Sequence, residues 1–273
     1  MTANRNQAPL PDLRIVLADS LYAHEEHDSQ RLLPLVERFK QETYIINPPV
    51  VAPMGANRFV ILDGANRCHA FQMLNYPHML VQVAAYESGY VELETWNHVI
   101  SHWDAQAFLN SLLALPDIDV HDGQVAHAIA HIILADQRVF ALVSPVDNIH
   151  ERNTVLRKIV AIYQQNAMLN RTTTAEPSDV WMLYPDAIAL VVFQRYDPAD
   201  ILAAAKYQAY LPPGVSRHIL HGRAVRVNYS IDLLRDTETS LLAKNEQLAQ
   251  WLQEKMSRRQ VRYYAEATYQ FDE

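Results

Sequence analysis

Three short stretches carry side chains suited to chemistry. The first is Asp63-Gly64-Ala65-Asn66-Arg67. An apolar run, Arg58-Phe59-Val60-Ile61-Leu62, stops at an acid. A glycine then permits a tight turn, and an arginine follows where a helical pattern opens. Exposed N–H groups at a helix start beside a guanidinium suit an anion, and the neighbouring carboxylate suits Mg²⁺ carried on phosphates. The same residues also read as an ordinary strand–helix turn with Asp63 as N-cap. The second stretch is His24-Glu25-Glu26, ahead of the first helix. Acids there are favoured by the helix dipole alone; in a site, one of them would act as a general base. The third is Pro212-Pro213-Gly214-Val215-Ser216-Arg217-His218, a loop that delivers a hydroxyl, a guanidinium and an imidazole in succession. That set suits phosphate recognition.

These residues must be positioned by the elements around them. Leu13–Ala18 alternates as a strand. Leu32, Leu35, Val36 and Phe39 recur at helical spacing, with Pro34 either near the helix start or distorting its early turn. Asn47-Pro48-Pro49 forces extended chain into Val50-Val51-Ala52, and Gly55-Ala56-Asn57 is a turn. Arg58–Leu62 is apolar enough to be buried on both faces. A helix then runs through Ala70, Phe71 and Leu74, and Leu80–Tyr86 is a strand. A second part begins near Asp104. Its expected helices are Ala105–Leu115, Gln124–Ala135, Asn153–Leu169 and Pro198–Ala205. Its expected strands are Val139–Ser144, Ala187–Phe193 and Arg223–Asn228, with a polar loop at Arg171–Thr174. Thr237–Ser257 is a helix, and Val261–Tyr269 alternates as a final strand.

The expected fold class is therefore α/β in the broad sense: a domain at 12–104, a second mixed α/β domain at 105–235, and a C-terminal helix and strand at 236–273. With 273 residues, 49% apolar and 20% charged, the chain can bury a sizeable core. A single cysteine, Cys68, excludes an intrachain disulfide. No apolar run approaches the roughly 20 residues of a membrane span, and the polar start does not read as a signal peptide. The expected location is the cytoplasm. A net charge of −8 disfavours DNA as the main partner, since DNA-binding domains show basic patches.

Taken together, His24-Glu25, Asn47-Pro48, Ile61-Leu62-Asp63-Gly64 with Arg67, Thr95-Trp96 and Ser216-Arg217-His218 resemble, in order and spacing, the free-serine kinase branch of the ParB/sulfiredoxin superfamily. The resemblance is good over about residues 13–105 and loose beyond them. It implies a ParB/sulfiredoxin-like N-terminal domain. It also implies transfer of a phosphoryl group from ADP or ATP, with Mg²⁺, to the hydroxyl of free L-serine. On that resemblance Glu25 would be the general base, and Asp63 would sit beside the phosphates and their Mg²⁺. Gly64, Asn66, Arg67, Ser216, Arg217 and His218 would hold nucleotide and phosphates, and Trp96 would line the serine pocket. The site would lie in a cleft between two units. The sequence departs from the family where Ala65 and Asn66 replace two histidines, and where Gly214, Val215 and Ser216 replace a lysine and two threonines.

The alternative is a ParB-like regulator that binds nucleotide or DNA without small-molecule kinase activity. Other features have plainer readings. Cys68 follows Arg67, on the wrong side for a sulfiredoxin nucleophile, and is expected to face the core. Arg258, Arg259 and Arg262 read as a solvated helix end. His127/His131 and His98/His102 have the four-residue spacing of helical zinc ligands, without an obvious third ligand. The helix at 237–257 could pair with a second copy or pack on its own chain; the latter is expected.

Overall fold

The computed structural model describes residues 8–27, 29–145 and 148–264. The chain opens with β1 (Asp12–Leu17), β2 (Leu21–Tyr22), α1 (Ser29–Gln41), β3 (Tyr44–Ile45), β4 (Val50–Pro53), β5 (Phe59–Asp63), α2 (Ala65–Met73) and β6 (His78–Val83). It continues through β7 (Val91–Thr95), β8 (Asn97–Ser101), α3 (Ala105–Leu113), β9 (Asp119–Asp122), β10 (Ala130–Leu134), β11 (Val139–Val143), α4 (Ile149–Asn166), β12 (Met168–Thr172), α5 (Pro177–Leu183), β13 (Ala187–Phe193) and α6 (Pro198–Tyr207). It ends with β14 (Ser216–Leu220), β15 (Tyr229–Ser230), α7 (Ile231–Arg235) and α8 (Leu241–Ser257). The fold class is mixed α/β, as expected.

Two compact units emerge, and neither is one contiguous stretch. Among the described residues, the first joins the chain up to Ala23 with His27–Glu92 and the chain from His218 on; the second joins His24–Glu26 with Leu93–Arg217. The expected boundaries at 104/105 and 235/236 follow the chain, whereas the units are interleaved along it. In particular, α8 belongs to the first unit.

The first unit is built on a five-stranded sheet in the order β1-β6-β4-β5-β2. Val60, Ile61 and Leu62 of β5 are buried, which explains the unbroken apolar run there. The core adds Phe39 of α1, Phe71 of α2 and Leu248 of α8. Pro34 lies inside α1, whose first residue is Ser29, so the helix does not begin at the proline. β1 is an edge strand, and α8 covers it. The Asn245 side chain accepts from the Ile15 N–H at 3.0 Å and donates to the Ile15 carbonyl at 2.9 Å, closing backbone groups that an open edge would expose. The C-terminal helix therefore packs on its own chain.

The second unit is a six-stranded sheet in the order β12-β8-β13-β10-β11-β9, antiparallel throughout. Helix α4 packs Leu156, Ile159, Val160 and Tyr163 inward. The helix expected at Gln124–Ala135 is a turn followed by β10, which is paired on both sides by β11 and β13. Arg171 and Thr172 end β12 rather than lying in a loop. In the first unit, Arg223–Asn228 is not a strand: Arg226 and Asn228 have φ of +53°, which breaks extended chain, and the strand lies earlier, at β14. Val261–Tyr264 form no strand, and the rest of that expected element lies outside the described residues.

Candidate functional site

In the first unit, β5 delivers Asp63 at its end, and Gly64 turns the chain into α2. Gly64 has a φ of +89°, the left-handed region that glycine enters without strain. A Cβ there would lie 2.7 Å from Arg67 Nη2 and 3.0 Å from its Nε, so the glycine is what lets the guanidinium fold back over the turn. The cap residue of α2 is Gly64 and carries no side-chain cap bond; Asp63 is not the N-cap. Its carboxylate faces arginines instead. Oδ2 accepts from Arg67 Nη2 at 3.1 Å and from Arg223 Nη2 at 2.5 Å. Burial pushes the Asp63 carboxyl up, but the charges of Arg223 and Arg67 outweigh it and hold the group below the usual carboxylate range. The Asn66 amide, on the first turn of α2, has no hydrogen-bond partner among the described residues.

Two further pairs belong to the first unit. His218 Nε2 lies 2.7 Å from the hydroxyl of Tyr86, whose pKa burial raises, so the phenol stays protonated. His69 of α2 stacks on His27, with ring centroids 4.6 Å apart; burial, and then the neighbouring His27, lower the His69 pKa.

In the second unit, Glu25 is held by main-chain pairing. Leu211 N–H donates to the His24 carbonyl, and Glu26 N–H donates to the Leu211 carbonyl. The Glu25 side chain then clasps the following loop. Oε2 accepts from Gly214 N–H at 2.8 Å, and Oε1 accepts from Ser216 N–H at 2.8 Å and Ser216 Oγ at 2.6 Å. A carboxylate offers about four acceptor directions, so these three donors, among the described residues, leave one open, on Oε2. Because the Ser216 hydroxyl donates to Glu25, His24 Nε2, 2.7 Å from Oγ, donates to it.

The same loop is fixed from beneath. Buried His98 of β8 places Nε2 3.1 Å from the Gly214 carbonyl and Nδ1 2.7 Å from the Tyr163 hydroxyl. Burial pulls its pKa down to about 4, so the ring is neutral, with Nε2–H donating to Gly214 and Tyr163 donating to Nδ1. Gly214, with a φ of +77°, lies under the Arg171 guanidinium; a Cβ there would fall 2.0 Å from Arg171 Cζ. The Trp96 backbone N–H donates to the Val215 carbonyl at 2.8 Å. Arg217 lies over the Trp96 ring at 4.8 Å and pairs with Glu94.

The expected residues thus fall into two constellations. Asp63, Gly64, Asn66, Arg67 and His218 are in the first unit; Glu25, Trp96, Ser216 and Arg217 are in the second. Arg223, Tyr86 and Glu94 escaped sequence reasoning, since nothing local to them marks a site; His98 stood out only as half of a zinc-spaced pair, and Arg171 only as the start of a polar loop. Ser216 was expected to bind nucleotide or phosphate, yet its hydroxyl hydrogen is committed to Glu25. The two histidine pairs are not helical: His98 and His131 are on strands, His102 has a φ of +59°, and His127 is in a turn. Cys68 is buried in the first unit's core, and burial pushes its thiol up to about 12. Arg258 pairs with Glu254 at 2.5 Å at the exposed end of α8. Among the described residues, no helix is long and apolar enough to cross a membrane.

No family model matches the chain. Over 83 residues it is 32% identical to an ATP-dependent L-serine kinase of Desulfurococcus mucosus, a match covering 30% of this chain and 32% of the relative. The match therefore spans about a third of that relative's length. Against the ATP-dependent L-serine kinase SbnI of Staphylococcus aureus, identity is 22% over 245 residues, 88% of this chain and 89% of the relative. Among solved structures, C-terminally truncated SbnI from Staphylococcus aureus superposes with a TM-score of 0.69 at 20% identity, covering 90% of this chain and 97% of the other. A free serine kinase in complex with AMP gives 0.70 at 16% identity, covering 83% and 95%. The chain has the free-serine-kinase fold. That likeness spans both units, well beyond the stretch of higher sequence identity.

Proposed function

We propose that this protein is a phosphotransferase that moves the terminal phosphoryl group of ATP to the hydroxyl of free L-serine, giving O-phosphoserine and ADP. The observation that carries the reading is the Glu25 clasp, a carboxylate fixed by three donors with one acceptor direction left open. The fold likeness and the local identity to ATP-dependent L-serine kinases support it. The sequence relatives, which are ATP-dependent L-serine kinases, favour ATP over ADP as donor and an enzyme over a DNA-binding regulator. We further assign the first unit to the ParB/sulfiredoxin type.

In this reading the Asp63–Arg67 turn holds the nucleotide phosphates through Arg67, the Gly64 turn and Asn66. Asp63 fits Mg²⁺: its Oδ1 has no hydrogen-bond partner among the described residues, and one carboxylate together with phosphates suits that ion. When bound, Mg²⁺ would neutralise charge on the transferring phosphate. Oε2 of Glu25 takes the serine hydroxyl proton as the serine oxygen bonds to phosphorus and the bond from phosphorus to the ADP oxygen breaks. Ser216 and His24 orient Glu25. Trp96, pinned by Val215 and faced by Arg217, lines the amino-acid pocket, and His218, fixed by Tyr86, meets the nucleotide.

The test is ADP release from ATP and Mg²⁺ by the purified full chain, followed with a panel of amino acids. Release that depends on L-serine, and that threonine or alanine does not reproduce, is the expected result. ATP hydrolysis indifferent to every amino acid would refute the serine assignment.

A further inference from the structure

We propose that Arg223 is a phosphate ligand and that Asp63 gives up its pairing with Arg223 when nucleotide arrives. The proposal rests on the reading of Asp63–Arg67 as the phosphate-holding turn. It starts from a charge count. Two guanidiniums, of Arg67 and Arg223, converge on a single carboxylate oxygen, Oδ2 of Asp63. Arginine does not lose its proton in proteins, so the cluster keeps one positive charge in excess. One arginine would suffice to neutralise the acid. Two, crowded on the same oxygen, repel each other until an acceptor with several anionic oxygens takes them both, as a phosphate does.

Donors are also left over. Among the described residues, each guanidinium uses only Nη2 on Asp63, and Arg67 Nε is buried with no hydrogen-bond partner. Both side chains are about three-quarters buried, at 28% and 25% exposed, so they are held rather than free to wander in solvent.

The presentation of Arg223 is built in. Gln82 of β6 is only 5% exposed, and its amide clamps the chain on both sides of the arginine. Its Nε2 donates to the Gly222 carbonyl at 3.0 Å, and its Oε1 accepts from Ala224 N–H at 2.8 Å. Spending both hydrogen-bonding ends of a buried side chain on residues 222 and 224 costs desolvation that a loose surface loop would not require. The clamp fixes the backbone from which Arg223 reaches Asp63. Gln82 is thus a positioning residue for Arg223.

The experiment is calorimetric binding of ADP and of adenosine to the full chain with Mg²⁺ at fixed ionic strength. It compares the parent with Arg223→Gln and Arg223→Lys, each checked for an unchanged melting temperature. Arg223→Gln is expected to weaken ADP at least about tenfold, the scale of one lost charge-assisted bond, and to leave adenosine unchanged. Arg223→Lys keeps the charge without the fork and should fall between. ADP affinity unchanged in Arg223→Gln, or ADP and adenosine weakened alike, would overturn the proposal. A parent protein that binds no ADP would overturn it together with the kinase reading. A parent that binds ADP but makes no O-phosphoserine would sink only the kinase reading, and the variants would still decide Arg223.

Discussion

Replacing Glu25 by glutamine tests more than a proton acceptor, because the carboxylate is also the keystone of the 214–216 loop. It accepts Gly214 N–H on one oxygen, and Ser216 N–H and Oγ–H on the other. A glutamine has one oxygen. Turned one way, its NH₂ faces Gly214 N–H; turned the other, it faces Ser216 N–H. One backbone donor is stranded in either case, at about 1–3 kcal/mol, and the surviving bonds lose their charge assistance. Glu25 is 17% exposed, so water recovers part of this. A net cost of about 2 kcal/mol follows, or about 30-fold in a local opening equilibrium. The assay is amide hydrogen exchange at Gly214 and Ser216, which reads local opening directly. Glu25→Gln should speed exchange at both by about 30-fold, and Ser216→Ala, which removes one hydroxyl donor, by about fivefold. Exchange within twofold of the parent in Glu25→Gln would refute the clasp. The consequence for enzymology is direct: lost turnover in Glu25→Gln mixes a missing base with a loosened loop, and Ser216→Ala calibrates the second effect.

Two further outcomes follow from the same loop. Gly214→Ala should cost about 1–2 kcal/mol from its left-handed backbone alone, plus displacement of the Arg171 guanidinium that overlies it; in an Arg171→Ala background the cost should drop to the backbone part, and equal costs in both backgrounds would contradict the stacking. His98 has its folded pKa depressed to about 4 from an ordinary 6.5. The unfolded chain therefore binds the proton first as pH falls. The His98 contribution is complete above about pH 6.5 and lost on the way down to pH 4, by about 3 kcal/mol. Urea denaturation of the parent and His98→Phe should give stabilities that converge as pH falls through this window, and a constant difference would be the wrong result.

What the sequence disclosed was what local patterns can carry. The run Phe59–Leu62, the Asp-Gly turn and the apolar spacing of α2 lie next to one another, so strand, turn and helix were all readable, with Asp63 and Arg67 four residues apart on them. Residues 124–135 misled, because Val125, Ala128, Ile129, Ile132 and Ile133 fall at helical spacing. What makes Ala130–Leu134 a strand is its pairing with β11 and with the distant β13, and that competition between local pattern and tertiary pairing is settled outside the window. The candidate site shows the same division. Glu25 could be picked out as an acid, but its partners at Gly214 and Ser216 are 189 and 191 residues away. Asp63 could be matched to Arg67 but not to Arg223, 160 residues on. Ser216 drew a phosphate role from its neighbours Arg217 and His218, and only the fold reveals that its hydroxyl serves Glu25.

The most direct test is mass-spectrometric detection of O-phosphoserine from L-serine, ATP and Mg²⁺ with the purified full chain, run beside Glu25→Gln and Ser216→Ala. With Glu25 as the general base, the parent makes product, Ser216→Ala makes reduced but measurable product, and Glu25→Gln makes at least about a hundredfold less, the scale of a missing general base. No product from a parent that binds ATP, or full turnover in Glu25→Gln, would contradict that role.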